Sequence, residues 1–203
     1  MNWQNTLYAL PGILLGLTVH EYCHAFCAWK LGDSTARDQG RISLNPLKHI
    51  DPLGFLFILF AGFGWAKPVQ FNPENLRNLR RDKALIATAG PLSNLLLGIL
   101  LIRIVSAMLP LTDPGVHTER LVHVLVVAAS INFGLFIFNL LPIPPLDGSH
   151  IAFSGLNLKP ETEDMFRKVG MPVLFGILIV QNFTAVTILP IGEMVGAMVR
   201  FFM

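Results

Sequence analysis

The chain has 203 residues, of which 53% are hydrophobic and 14% charged, against roughly 25% charged in a soluble domain. A net charge of +2 with no dense basic stripe argues against a nucleic-acid surface. Two cysteines, Cys23 and Cys27, do not make a disulfide framework. What remains is a single integral-membrane unit over residues 1–203, an α-helical bundle solvated by lipid.

The first apolar segment runs from Leu7 to Trp29 and exceeds the roughly 20 residues a helix needs to cross a bilayer. Met1 to Asn5 carry no Lys or Arg and no small-residue cleavage site follows, so the segment reads as a retained helix, not a signal peptide. The stretch Pro52–Trp65 has only 14 residues. That suits a re-entrant or interfacial element. Three further spans are expected at Ala84–Leu109, Leu121–Leu141 and Val169–Leu189. The short stretch Ile191–Met203 after Pro190 reads as a half-helix. The core of the unit is expected over 7–148, with C-terminal helices over 169–203.

Charge orders these elements. Lys30, Arg37, Arg41 and Lys48 precede Pro52–Trp65, and Lys67, Arg77, Arg80, Arg81 and Lys83 follow it. If the stretch dips and returns, all nine lie on one side, which the positive-inside rule makes cytoplasmic. The loop Pro110–Arg120 then faces outward, and Lys159, Arg167 and Lys168 return inward. Gly40–Leu44 and Trp65–Phe71 contain β-branched and aromatic residues in partial alternation, so a small sheet beside the bundle is expected. Pro68 confines its second strand to an edge or bulge.

Chemistry enters at His20-Glu21-Tyr22-Cys23-His24, which reads HExxH. Residues four apart share one helix face, so both imidazoles reach one metal ion, with Glu21 placed to take a proton from the attacking water. An ionisable residue in an apolar span is costly unless it faces a polar cavity. A catalytic zinc site needs a third protein ligand and an open position. Cys27 lies roughly 10 Å along the helix from His20, at 1.5 Å per residue, too far to share a zinc ion. Asp147 is the better candidate. It follows Pro142, Pro144 and Pro145, which must end or distort the preceding helix. Irregular backbone at membrane depth is tolerated against protein or a wet cavity. Periodicity alone leaves Asp147 open between a ligand and the cap of the next helix.

HExxH in a membrane helix is followed here by Ala89-Gly90-Pro91-Leu92-Ser93-Asn94 and then by Asn139-x-x-Pro142-x-Pro144-x-Leu146-Asp147-Gly148. In that order these motifs resemble the site-2 protease family of intramembrane zinc metalloproteases, over about 70% of the chain, Leu7 to Gly148. The Gly64-Trp65-Ala66-Lys67-Pro68-Val69 run is similar to that of its short, bacterial-type members, which lack PDZ and CBS domains. The resemblance implies one zinc ion per chain held by His20, His24 and Asp147. It also implies Glu21 as the general base and Asn139 as a residue that positions substrate or stabilises the oxyanion. The substrates it implies are transmembrane proteins cut within or near their spans, in a bacterial inner membrane, with the active site toward the cytoplasm. Trp65–Phe71 would hold the unwound substrate by strand addition.

Other polar residues have blander readings. Asn94 is expected to pack helices, and His49, His117 and His123 to lie at the interface; His150, three residues after Asp147, reads as an ordinary residue in preference to a support for it. Trp3, Trp29 and Trp65 fall near segment ends, where aromatic belts occur, and Phe55, Phe57, Phe60 and Phe63 read as packing. The rival function is a metal or proton transporter using the same ligands. It has no need of Glu21, and no inverted repeat is visible.

Overall fold

A backbone surrounded by apolar side chains must satisfy its own N–H and C=O groups, and helices do this within one segment. A computed structural model describes residues 3–61, 64–110, 115–156, 158, 160–184 and 186–203. Its helices are α1 (Trp3–Lys30), α2 (Thr35–Asp38), α3 (Pro52–Ala61), α4 (Leu79–Met108), α5 (Val116–Asn139), α6 (Asp147–Leu156), α7 (Pro160–Phe183) and α8 (Ile191–Phe202). Single 3-10 turns lie at Pro46–Lys48 and Pro73–Asn75. Parts of the expected outward loop Pro110–Arg120, residues 62 and 63 of the Pro52–Trp65 stretch, and Lys159 fall outside the described residues.

Among the described residues, two helices are long and apolar enough to cross a membrane, over Leu79–Met108 and His117–Asn139. Helices α1 and α7 have 28 and 24 residues. The HExxH motif interrupts the first and the charged start of the second, Glu161 to Lys168, shortens its apolar run. Helix α4 starts five residues before the expected Ala84 because it is capped. Asn78 Oδ1 accepts from Arg81 N at 3.1 Å, and Asp82 Oδ2 accepts from Asn78 N at 2.9 Å, each satisfying an orphan donor of the first turn.

Helices α1, α4 and α5 form the closest-packed part of the molecule. A β-carbon on Gly12 would stand 2.6 Å from Ala128 Cα, and one on Gly16 2.9 Å from Asn132 Oδ1, so α1 lies against α5 with backbone in the contact. Small residues allow such approach in membranes, where lipid removes the usual hydrophobic drive. Leu101, Ile102, Ala128, Ala129 and Phe133 are buried between α4 and α5. The expected half-helix α8 covers them with Val195, Met198, Val199 and Phe202. Phe202 stacks on Phe133 at 5.9 Å, and Ser106 Oγ donates to the Met203 carbonyl at 2.6 Å.

Between α1 and α4 the chain is tied by polar contacts. Buried Asp33 accepts from Thr35 N, Thr35 Oγ1, Asn72 N and Asn75 Nδ2, which fastens the 72–75 turn to the end of α1. Burial opposes its charge, but these bonds more than offset that and hold its carboxyl below the ordinary range. The expected sheet comes down to one antiparallel bridge, Ile50 with Ala66, continued by Lys67 N donating to the His49 carbonyl at 2.7 Å. No strand occurs among the described residues. Pro68 and Pro73 lack the N–H groups a ladder needs, and Arg41 N is engaged with the Ala36 carbonyl in a turn. His49 is fully buried, with its Nε2 2.7 Å from the Ser43 carbonyl.

Candidate metal centre

The HExxH turn lies on the face of α1 that meets α4. His20 and His24, four residues apart, bring their Nε2 atoms to 3.0 Å. The first residue of α6, Asp147, enters from the other side after the Pro142–Pro145 turn. Its Oδ2 stands 3.2 Å from His20 Nε2 and 3.3 Å from His24 Nε2. Both histidines are buried and Asp147 is nearly so. Asp147 Oδ2 is a buried oxygen with no hydrogen-bond donor.

The other ring nitrogens explain which lone pairs face this point. His24 Nδ1 lies 2.7 Å from the Ile86 carbonyl, which can only accept, so Nδ1 carries the proton. His20 Nδ1 lies 2.6 Å from Asn94 Oδ1. The orientation of that amide follows from a chain of contacts. The Ala128 carbonyl accepts from Asn132 Nδ2 at 2.8 Å, so Asn132 Oδ1 is left to accept from Asn94 Nδ2 at 2.9 Å. Asn94 Nδ2 also donates to the Gly16 carbonyl at 3.1 Å, which leaves Asn94 Oδ1 for His20 Nδ1–H. In the neutral ring each Nε2 therefore carries the lone pair, and two imidazole nitrogens and a carboxylate oxygen converge on one point. That donor set fits a divalent cation of the kind zinc is. Asn94 was expected to pack helices; it bridges α1, α4 and α5 and also orients the His20 ring. Asn132 carried no signal in the sequence, since an asparagine on an apolar helix has meaning only through its partner on another.

Gly90 forms the floor of the site. A β-carbon there would lie 2.3 Å from His24 Nε2 and 2.7 Å from His20 Nε2, so α4 presents bare backbone to the metal position. Glu21 is also buried. Its Oε2 accepts from Val69 N at 3.1 Å and lies 3.7 Å from Arg41 Nη2. Asn139 donates to the Leu135 carbonyl of its own helix at 3.0 Å, with no recorded contact to the three converging residues. Cys23 and Cys27 are outside that group. His150 stands one turn along α6 from Asp147. Burial, with Lys83 and Arg167 nearby, pushes its pKa down to about 4.

The sequence profile of peptidase family M50 matches residues 102–181, a stretch containing Asn139 and Asp147. The candidate zinc metalloprotease YwhC of Bacillus subtilis (strain 168) is 42% identical over 151 residues, covering 71% of this chain and 67% of YwhC. This chain belongs to peptidase family M50. Two more relatives carry the name Rip2 and are also described as candidate zinc metalloproteases. The one from Mycolicibacterium smegmatis is 32% identical over 86% of this chain and 65% of its own length. That from Mycobacterium tuberculosis (strain H37Rv) is 34% identical over 76% and 58%. The chain thus spans about two thirds of the curated relatives it matches. No solved structure matches it significantly. As an M50 member the chain is a zinc-dependent protease, and its two apolar helices agree with a membrane location.

Along α1 from the HExxH turn lies an apolar cavity of about 840 Å³. Ile13 and Leu17 of α1, Leu135 of α5, Leu174 of α7 and Trp65 line it. Leu146, next to Asp147, also contributes, so the cavity reaches the chain beside the candidate ligands.

Proposed function

We propose that His20, His24 and Asp147 hold one zinc ion and that this M50 protease hydrolyses peptide bonds in or near transmembrane segments, with Glu21 as general base. The convergence of the HExxH histidines with an aspartate 123 residues later, inside 4.8 Å, carries the reading. Zinc bound there supplies Lewis acidity, polarising the scissile carbonyl and acidifying a water molecule. The Ile86 carbonyl and the Asn94 amide keep both ligand rings in the tautomer that presents Nε2. Glu21 takes the proton of the attacking water and delivers it to the leaving amine. The apolar cavity receives the side chains of a substrate segment that has unwound, since a helix hides its carbonyls in hydrogen bonds. Asn139 then turns from Leu135 to the substrate carbonyl or its oxyanion.

We read residues 1–203 as one unit with four spans, at Leu7–Trp29, Ala84–Leu109, Leu121–Leu141 and Val169–Leu189, the active site toward the cytoplasm. The bridge between Ile50 and Ala66 supports a re-entrant Pro52–Trp65, because it joins the two ends of that stretch. With Cys23 and Cys27 replaced, single cysteines in Lys30–Asp51 and Ala66–Lys83 are expected to label from the cytoplasmic side alone, and one at Thr118 from outside alone. Labelling of the second basic segment from outside would remove the re-entrant element.

The deciding experiment is Glu21→Gln in purified protein. The amide keeps the size of the side chain but cannot take the proton, so zinc stays at one per chain while cleavage of a membrane peptide falls by about 10²–10⁴-fold. Near-normal turnover by this variant would favour a transit site for metal or protons.

A further inference from the structure

Arg41 is 5% exposed, and a buried guanidinium costs several kcal/mol unless paired. Gly40, at φ +68°, turns the chain after α2 and directs Arg41 inward. The carboxylate it meets is Glu21, with Arg41 Nη2 3.7 Å from Glu21 Oε2. The same Nη2 donates to the Lys67 carbonyl. Two residues on, Val69 N donates to that same Glu21 oxygen at 3.1 Å. Arg41, Glu21 and the Lys67–Val69 backbone thus close a ring across three separate parts of the chain. Both contacts to Glu21 fall on Oε2, which restrains rotation of the carboxylate and leaves Oε1 outside them.

We propose that Arg41 is a positioning residue for the protease reaction, holding Glu21 and the Lys67–Val69 segment in one fixed relation. The proposal rests on Glu21 being the general base. A buried ion pair is weak evidence for stability in its own right, because desolvation offsets most of the attraction. Aim is different: a base displaced by about 1 Å loses roughly 100-fold in rate. Lysine keeps the charge of Arg41 but not the rigid, planar group that sets one Nη2 between a carboxylate and a carbonyl.

The test uses the full-length, zinc-loaded protein with a membrane peptide substrate and the variants Arg41→Lys and Arg41→Ala. Zinc is expected to stay at one per chain in both, with kcat down by about 100-fold in R41A and by less in R41K. Guanidinium chloride at millimolar concentration is expected to restore part of the kcat of R41A, and sodium chloride at the same concentration to restore none. Either a kcat within about threefold of the parent in R41A, or a lost kcat that neither lysine nor guanidinium restores, overturns the proposal. Loss of zinc in step with kcat in both variants makes Arg41 a folding residue and overturns it as well. The Glu21→Gln protein separates the two levels. If it keeps turnover, the base assignment itself is wrong, whatever Arg41 does.

Discussion

Two glycines mark two different regions of this bundle. At Gly90 of α4 a β-carbon would occupy the place where His20 and His24 present their nitrogens. At Gly134 of α5 it would meet nothing closer than Val195 Cγ2, at 3.8 Å, because that glycine faces the apolar cavity. The first region is closed, polar at its centre and fixed by hydrogen bonds from α4 and α5. The second is open and apolar, and its outer wall is α7, where Val169, Val173, Ile179 and Val180 stay exposed. A protease that cuts within membranes needs both: ligands held to fractions of an ångström, and a space that accepts many apolar sequences without reading them closely.

The largest effect is expected from Gly90→Ala. The added methyl overlaps the ligand nitrogens, so zinc content and cleavage should both be lost, by metal analysis and peptide assay, while the helical circular dichroism remains. A zinc-replete, active G90A would show that the region is not closed. Asn94→Ala comes next. It frees the His20 ring and removes an outer hydrogen bond of a ligand, a change that typically costs about 10–100-fold in metal affinity. Competition with a chelator measures this directly, and an unchanged zinc dissociation constant would take Asn94 out of the site. The smallest effect belongs to the open region. Gly134→Leu has room for its side chain, so zinc affinity and melting temperature should stay as they are. KM for a membrane peptide should rise about tenfold, equivalent to about 1.4 kcal/mol of binding. If G134L cleaves with unaltered KM, the cavity does not receive substrate.

The closed region was the more legible of the two in the sequence. His20, Glu21 and His24 declare themselves because helical spacing alone puts both imidazoles on one face. Asp147 needed the proline turn and the family resemblance. The long helices followed from their apolar runs, and their ends moved by a few residues where a cap such as Asn78 extended them. What stayed hidden depends on pairs far apart in the chain. Asn132 has a role only once α5 meets α4 at Asn94, and Arg41 reads as one more basic loop residue until Gly40 turns it toward Glu21. The sheet expected from β-branched residues did not form beyond one bridge, because proline removed its donors. The cavity is a property of how far α3 and α7 stand from the core, and no single residue encodes that distance.

The chain of amides from Ala128 through Asn132 and Asn94 to His20 has a direction, since each link donates at one end and accepts at the other. Mutational drift at these positions is therefore coupled. An aspartate at 94 matches the shape of asparagine and can still accept from His20. It offers no proton to the Gly16 carbonyl or Asn132 Oδ1, and leaves acceptors facing one another in an apolar interior. A histidine on one helix thus limits which substitutions two other helices can tolerate, and only concerted replacements along the whole line would let a descendant leave it.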